Sequence, residues 1–389
     1  MKYGTQFLWF MLVVKIGVAQ NFDSLVNHAA AQLKTPSNEL GLSIGLVHRG
    51  NGYFYNYGNS ETKKSSPPTQ HTLYEIGSIT KTFTGYLLAK AVLEKKIKLS
   101  DDIRKYLRGN YLNLAYERKP ITILHLANWT SGLPDWLPEE PLLLRQANPD
   151  SSSFLRQKIY GSFTREDFYR SLRKVKLDTI PGYRSHHSNA AGQLLAYILE
   201  DIYKKPFATL ISEQITSPRA MNNTVLLPSG SRSDLASGYD GKGRPMPYFT
   251  AKELLPAGGL YSTTDDMVKY IRFMLERKND TAILARTKTV SIDVYGIALN
   301  WFVYTYDDGY TQIWTDGSTS GFVSYLVMYP QLNSGIILMC NRADQHSFTS
   351  LPRIAYEIFQ GLKAAEKDPL LIDKMQHLSL SIPDLRLLK

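Results

Sequence analysis

The hydrophobic pattern changes character three times along the chain. Residues 42–48 and 52–58 read as two strands around a turn at Arg49-Gly50-Asn51, and Tyr53, Tyr55 and Tyr57 alternate as in a half-buried strand. From Ser78 to about Asp240 the pattern is mostly helical, broken by loops that contain proline and glycine. Ile79, Phe83, Leu87 and Ala91 recur every four residues and predict a helix with one buried face. Leu194, Leu195, Ile198 and Ile202 mark a second helix over 191–202. Strand signals then return. Residues 298–305 and 310–314 flank Asp307-Asp308-Gly309, a hairpin signal, and 322–329 and 335–340 continue as a meander. An amphipathic helix carrying Ile354, Ile358, Phe359 and Leu362 follows, and residues after about Lys363 read as a loosely packed tail. Strands at both ends with helices between them predict an α+β fold. It consists of one antiparallel sheet flanked by helices, with a mostly helical insert over about residues 80–240.

Composition narrows the setting. A chain of 389 residues, 43% of them hydrophobic, has enough core for one large domain with a subdomain. Lys2, the apolar run 7–14 and the small residues near Ala19 read as a secretory signal peptide over residues 1–20, although Lys15 interrupts the run. The alternative for this segment is an uncleaved N-terminal anchor, the one route to a membrane that the sequence offers. Residues 21–365 are then the main domain and 366–389 the tail. Cleavage removes two lysines and no acid, lowering the net charge from +10 to +8. The expected location is periplasmic or secreted. The basic balance favours anionic surfaces, but no basic stripe interleaves with aromatics, so nucleic-acid binding is not expected. Cys340 is the only cysteine, which excludes an intrachain disulfide, and its apolar run reads as a buried strand.

Chemistry enters at Ser78-Ile79-Thr80-Lys81. Residues three apart share a helix face, so the Ser78 hydroxyl can meet the Lys81 amine, and a desolvated lysine can take a serine proton. A capped, solvated helix start has the same letters. The loop Pro181 to Asn189 offers His187 as a second proton acceptor; its bland reading is a surface loop with two exposed histidines and Ser188 or Asn189 as a helix cap. In Trp314 to Phe322, the glycines allow a strand edge to approach a substrate, and backbone N–H groups there can bind an oxyanion. Neither a phosphate-cradling loop nor a set of metal ligands appears, so no cofactor or metal is expected.

Taken in this order, the three segments resemble the serine β-lactamase and penicillin-binding-protein superfamily. The likeness is greatest to class C β-lactamases and their relatives among D-Ala peptidases and esterases. Ile121 to Pro134 and Pro256 to Thr263 add to the likeness, which spans roughly Leu42 to Leu362. The resemblance implies an acyl-enzyme on Ser78 with Lys81 beside it, and an oxyanion hole from the Ser78 and Ser318 N–H groups. It also implies that Asn189 hydrogen-bonds Lys81 and positions a substrate amide, and that Thr315 and Gly317 belong to the substrate-binding strand. The substrate is expected to be a small molecule or peptide: an ester, a D-amino-acid amide or a β-lactam.

Two positions depart from that pattern. His187 stands where relatives carry tyrosine, and it is expected to share with Lys81 the deprotonation of Ser78 and to protonate the leaving group. Thr315 stands where relatives carry lysine or histidine, next to Asp316. Loss of that cation predicts poor recognition of a substrate carboxylate and preference for neutral esters or amides. Arg342 or His346 are candidates to replace it. The alternative function is a catalytically silent module of the same fold that binds peptidoglycan fragments.

Overall fold

In the computed structural model of the chain, residues 22–33, 40–62, 66–228, 232–292 and 294–367 are described. The expected signal peptide lies outside them, as does the tail beyond 367. The chain divides into two compact units, one formed by its two ends and the other spanning Thr35–Phe348. In the terminal unit a helix over 22–30 packs on the last helix where Gly361 lies against Leu25. Ile354, Ile358, Phe359 and Leu362 are all buried, as their spacing predicts. That helix, Gln345–Lys367, runs past Lys363, where the tail was expected to begin. Lys363-Ala364-Ala365-Glu366-Lys367 are strong helix formers with no glycine or proline to stop them.

The body is built on an eight-stranded antiparallel sheet. Its strands are β1 (Leu42–His48), β2 (Asn51–Tyr57), β3 (Val290–Ile292), β4 (Tyr295–Ile297), β5 (Phe302–Thr305), β6 (Thr311–Ser318), β7 (Val323–Tyr329) and β8 (Ser334–Cys340). Their spatial order is β2-β1-β8-β7-β6-β5-β4-β3. The first hairpin therefore joins the last through β1 and β8, with Leu42 opposite Cys340 and His48 opposite Ser334. β1, β7 and β8 are buried at every position, and of these β8 carries the apolar run read over 335–340. Tyr53, Tyr55 and Tyr57 do not alternate in burial with their neighbours. β2 is an edge strand, half-buried at every position after Asn51.

The segment read as one strand over 298–305 is divided. Asn300 takes a left-handed φ of 64°, Ala298 N donates to Trp301 O at 2.8 Å, and the strand begins only at Phe302. β3 and β4, three residues each, have no run long enough to declare a period. β6 extends four residues past Trp314 to Ser318, because its pairing with β7 continues to Ser318 opposite Val323.

The helices used below are α1 (Thr80–Leu93), α2 (Pro149–Tyr160), α3 (Asn189–Tyr203) and α4 (Thr264–Leu275). α4 lies against β1 and β8. α1 is enclosed rather than one-faced: Thr80 to Ala89 are all buried, polar residues included. Phe83 stacks on Tyr270 of α4 with ring centroids 4.2 Å apart, and Thr82 Oγ1 meets Tyr270 Oη at 3.0 Å. Such an aromatic pair contributes about 0.5–1.5 kcal/mol beyond its buried area. This packing fixes the helix that follows Ser78. Among the described residues no helix is long and apolar enough to cross a membrane.

Candidate active site

Ser78 sits on a single 3-10 turn, Gly77–Ile79, that runs directly into α1. The turn starts from a left-handed glycine, Gly77 at φ 51°, and it aims the serine away from the helix core. Lys81, one turn on, is 1% exposed, and its Nζ contacts Ser78 Oγ at 2.8 Å, Asn189 Oδ1 at 2.7 Å and Ala257 O at 2.5 Å. A charged ammonium would donate to all three. A neutral amine donates to Asn189 and Ala257, two obligate acceptors, and turns its lone pair to the Ser78 hydroxyl. Burial lowers the Lys81 pKa to about 7, against the opposing pull of Asp135 and Asp316. The neutral, proton-accepting form is therefore accessible near neutrality. Asn300 Nδ2 donates to Lys81 O at 3.0 Å and its Oδ1 accepts from Trp129 Nε1 at 3.1 Å, tying α1 to an aromatic wall of the site.

The loop before α3 is more organised than its bland reading. Ser188 caps the helix, its Oγ accepting from Ala191 N at 3.0 Å and donating to Pro134 O at 2.7 Å. His186 is exposed, but His187 is half-buried, edge-on to Trp129 with ring centroids 5.4 Å apart. His187 Nδ1 bonds Asp135 Oδ1 at 3.0 Å, and the same oxygen accepts from both Asn189 N and Asn189 Nδ2 at 3.0 Å. Burial pushes the Asp135 pKa up, but His187 and the Asn189 N–H more than offset this and hold it below the ordinary value. Asp135 was not foreseen. It follows directly on Pro134, the end of one of the recognised stretches, and only the fold brings it to His187.

β6 passes in contact with the nucleophile turn. A Cβ on Gly317 would stand 2.0 Å from Ile76 O and 2.9 Å from Ser78 N, and one on Gly77 would stand 2.4 Å from Ser318 N. The two glycines thus let the backbone nitrogens of Ser78 and Ser318 converge, the arrangement an oxyanion hole requires. Strand alternation places Asp316 and Ser318 on the cavity face. Thr315 is 2% exposed and does not line the cavity, so the side chain expected to touch substrate is turned into the protein.

Ser78, His187, Asn189 and Ser318 line one cavity of about 610 Å³, with Lys81 immediately behind Ser78. Gly317 acts on it through the backbone alone. Neither Arg342 nor His346 is among the lining residues; Arg342 pairs with Tyr239 on a two-residue strand. The lining cation is Arg156 of α2, whose Nε and Nη2 both donate to Glu140 Oε1, at 3.0 and 2.7 Å. Helix periodicity gave no hint of it, because α2 follows a long loop whose path only the fold determines. Cys340 is fully buried in β8, and burial pushes its thiol up to about 12, in keeping with a core residue.

Comparison with known proteins agrees with this geometry. The family model described as Beta-lactamase matches residues 26–358. The D-alanyl-D-alanine-carboxypeptidase/endopeptidase AmpH of Escherichia coli strain K12 is 27% identical over 345 residues, 84% of this chain and 86% of that protein. A Beta-lactamase of Pseudomonas fluorescens is 25% identical over 365 residues, 83% of this chain and 94% of that one. In fold, the chain superposes on the Beta-lactamase/D-alanine Carboxypeptidase of Yersinia pestis with a TM-score of 0.74 at 24% identity, covering 90% and 99% of the two chains. The chain belongs to the Beta-lactamase family and is a serine hydrolase.

Proposed function

We propose that the enzyme works through an acyl-enzyme on Ser78, on a small-molecule or peptide ester, amide or lactam. The observation that carries this reading is the contact of the buried Lys81 amine with Ser78 Oγ at 2.8 Å, its other two partners being obligate acceptors. Neutral Lys81, with His187 nearby, takes the Ser78 proton as Oγ attacks the carbonyl carbon. The N–H groups of Ser78 and Ser318 receive the developing negative charge. His187, held through Nδ1 by Asp135, receives this proton on Nε2 and delivers it to the leaving atom, and Asp135 stabilises the imidazolium on the way. The proton lost by Ser78 thus ends on the leaving group. Water then repeats the sequence, giving its proton to the same bases, and Ser78 Oγ recovers a proton as the acid departs. Asn189, fixed by Lys81 and Asp135, positions the substrate amide.

A fluorophosphonate probe and a fluorescent penicillin test this reading. Covalent labelling that disappears in Ser78→Ala is expected; labelling that persists in that variant would assign the nucleophile elsewhere. We further propose export to the periplasm or medium through the segment 1–20, on its basic start and short apolar core. Sequencing the N-terminus of the protein recovered outside the cytoplasm checks it; an intact Met1 would refute cleavage.

A further inference from the structure

The charged side chains that line the cavity are Asp135, Arg156, His187 and Asp316. Three of them already have partners. Asp135 receives His187 and both N–H groups of Asn189, and Arg156 is paired with Glu140. Among the described residues no other side chain forms an ion pair or hydrogen bond with the Asp316 carboxylate. It is open to the cavity, where the charges of Lys81 and His187 act on it without a direct contact, and burial pushes its pKa up against their pull. Its position is informative. Asp316 and Ser318 share the cavity face of β6 two residues apart, about 7 Å along the strand. A carboxylate therefore stands within one substrate residue of the point where a scissile carbonyl meets the Ser318 N–H. The remaining walls include the aromatic residues Trp129, Trp136, Phe249 and Phe302.

We infer that this site selects acyl groups carrying a positive charge beside the scissile carbonyl, aminoacyl esters and amides above all, with Asp316 as the residue that sets the preference. The inference rests on the acyl-enzyme reading above. Substrates with a carboxylate near the scissile bond are disfavoured by the same charge. Arg156 does not compensate, because Glu140 already occupies its guanidinium.

Matched p-nitroanilides provide the test: D- and L-alanyl, which carry an ammonium, propionyl, which is the same acyl group without it, and succinyl, which carries a carboxylate. For the native enzyme near neutral pH, kcat/KM for the better alanyl anilide should exceed that for the propionyl anilide by about tenfold or more. Asp316→Asn should bring the ratio to within about threefold, and Asp316→Lys should favour the succinyl anilide. An unchanged ratio in Asp316→Asn, or a native preference for propionyl, would overturn the assignment. Calorimetric binding of the alanyl and propionyl anilides to Ser78→Ala separates the two readings. Preferential alanyl binding without turnover by the native protein leaves the charge preference standing and removes the hydrolase mechanism. Turnover of both without preference does the reverse.

Discussion

One carboxylate oxygen of Asp135 accepts the Nδ1–H of His187 at 3.0 Å while it also holds the backbone and side chain of Asn189. The acid thus sets two site residues at once. Asp135→Ala and His187→Ala are each expected to lower kcat by about a hundredfold, the usual scale for loss of acid–base help. The double variant should lose little more than either alone, because the two act as a unit. Additive losses in the four-member cycle would show that Asp135 and His187 serve separate ends.

Lys81 makes activity and stability depend on pH in a definite direction. Its pKa is lowered by burial to about 7 in the folded protein, against an ordinary 10.5. The acylation rate should therefore rise as pH increases through about 7, as the amine loses its proton. For stability the sign follows from proton counting. Between about 7 and 10.5 the unfolded chain holds a proton on this lysine that the folded one lacks, so this group makes folding more favourable as pH rises across that window. Below it the full cost of burying the group remains. Lys81→Met, inactive but uncharged, should gain more in melting temperature at pH 6 than at pH 9. An equal gain at both would mean that Lys81 does not titrate in this range.

Gly317 has no room for a methyl group, since a Cβ there would be 2.0 Å from Ile76 O, a backbone atom that cannot swing aside. Gly317→Ala is expected to push β6 off the Ser78 turn, lowering the melting temperature by several degrees and kcat by about tenfold or more. Wild-type kcat in this variant would show that the Ser318 N–H does not need to approach Ser78.

Short neutral esters are expected to be hydrolysed with higher kcat/KM than penicillins, because the cavity meets a substrate carboxylate with Asp316 and with an arginine already paired. Arg342→Ala and His346→Ala, which lie away from the cavity, should leave that ratio within about twofold. A series of p-nitrophenyl acetate, benzylpenicillin and nitrocefin measures it. A selective loss of nitrocefin turnover in either variant would restore the displaced cation as a substrate anchor.

Much of this architecture is legible in the sequence wherever a local pattern carries it. The first hairpin, the meander and α3 have boundaries within one or two residues of those expected, because each is marked by a local pattern of apolar positions or turn residues. The Ser78–Lys81 contact was also readable, since a single helical turn creates it. What could not be read depends on long-range placement. The burial of α1 on all sides follows from neighbours distant in sequence, not from its own period. Asp135 enters the site on a loop, and Arg156 on a helix that a long loop carries there. Thr315 occupies the expected position in sequence, but the alternation of β6 turns its side chain away and presents Asp316 in its place.

The hydrogen bond from Gly41 N to Asn341 Oδ1, 2.7 Å long, spans a separation of 300 residues, and β1 pairs with β8 beside it. At about 5–20 residues per second, roughly 15–60 s of synthesis separate the two halves of that seam. For this time the β1–β2 hairpin has no partner along the β1 edge, a largely apolar template for pairing with a neighbouring nascent chain. The seam closes the eight-stranded sheet only once β8 has been made. Slow-codon stretches or low temperature would prolong the exposure, so the yield of soluble protein should depend on how quickly the final hundred residues are made.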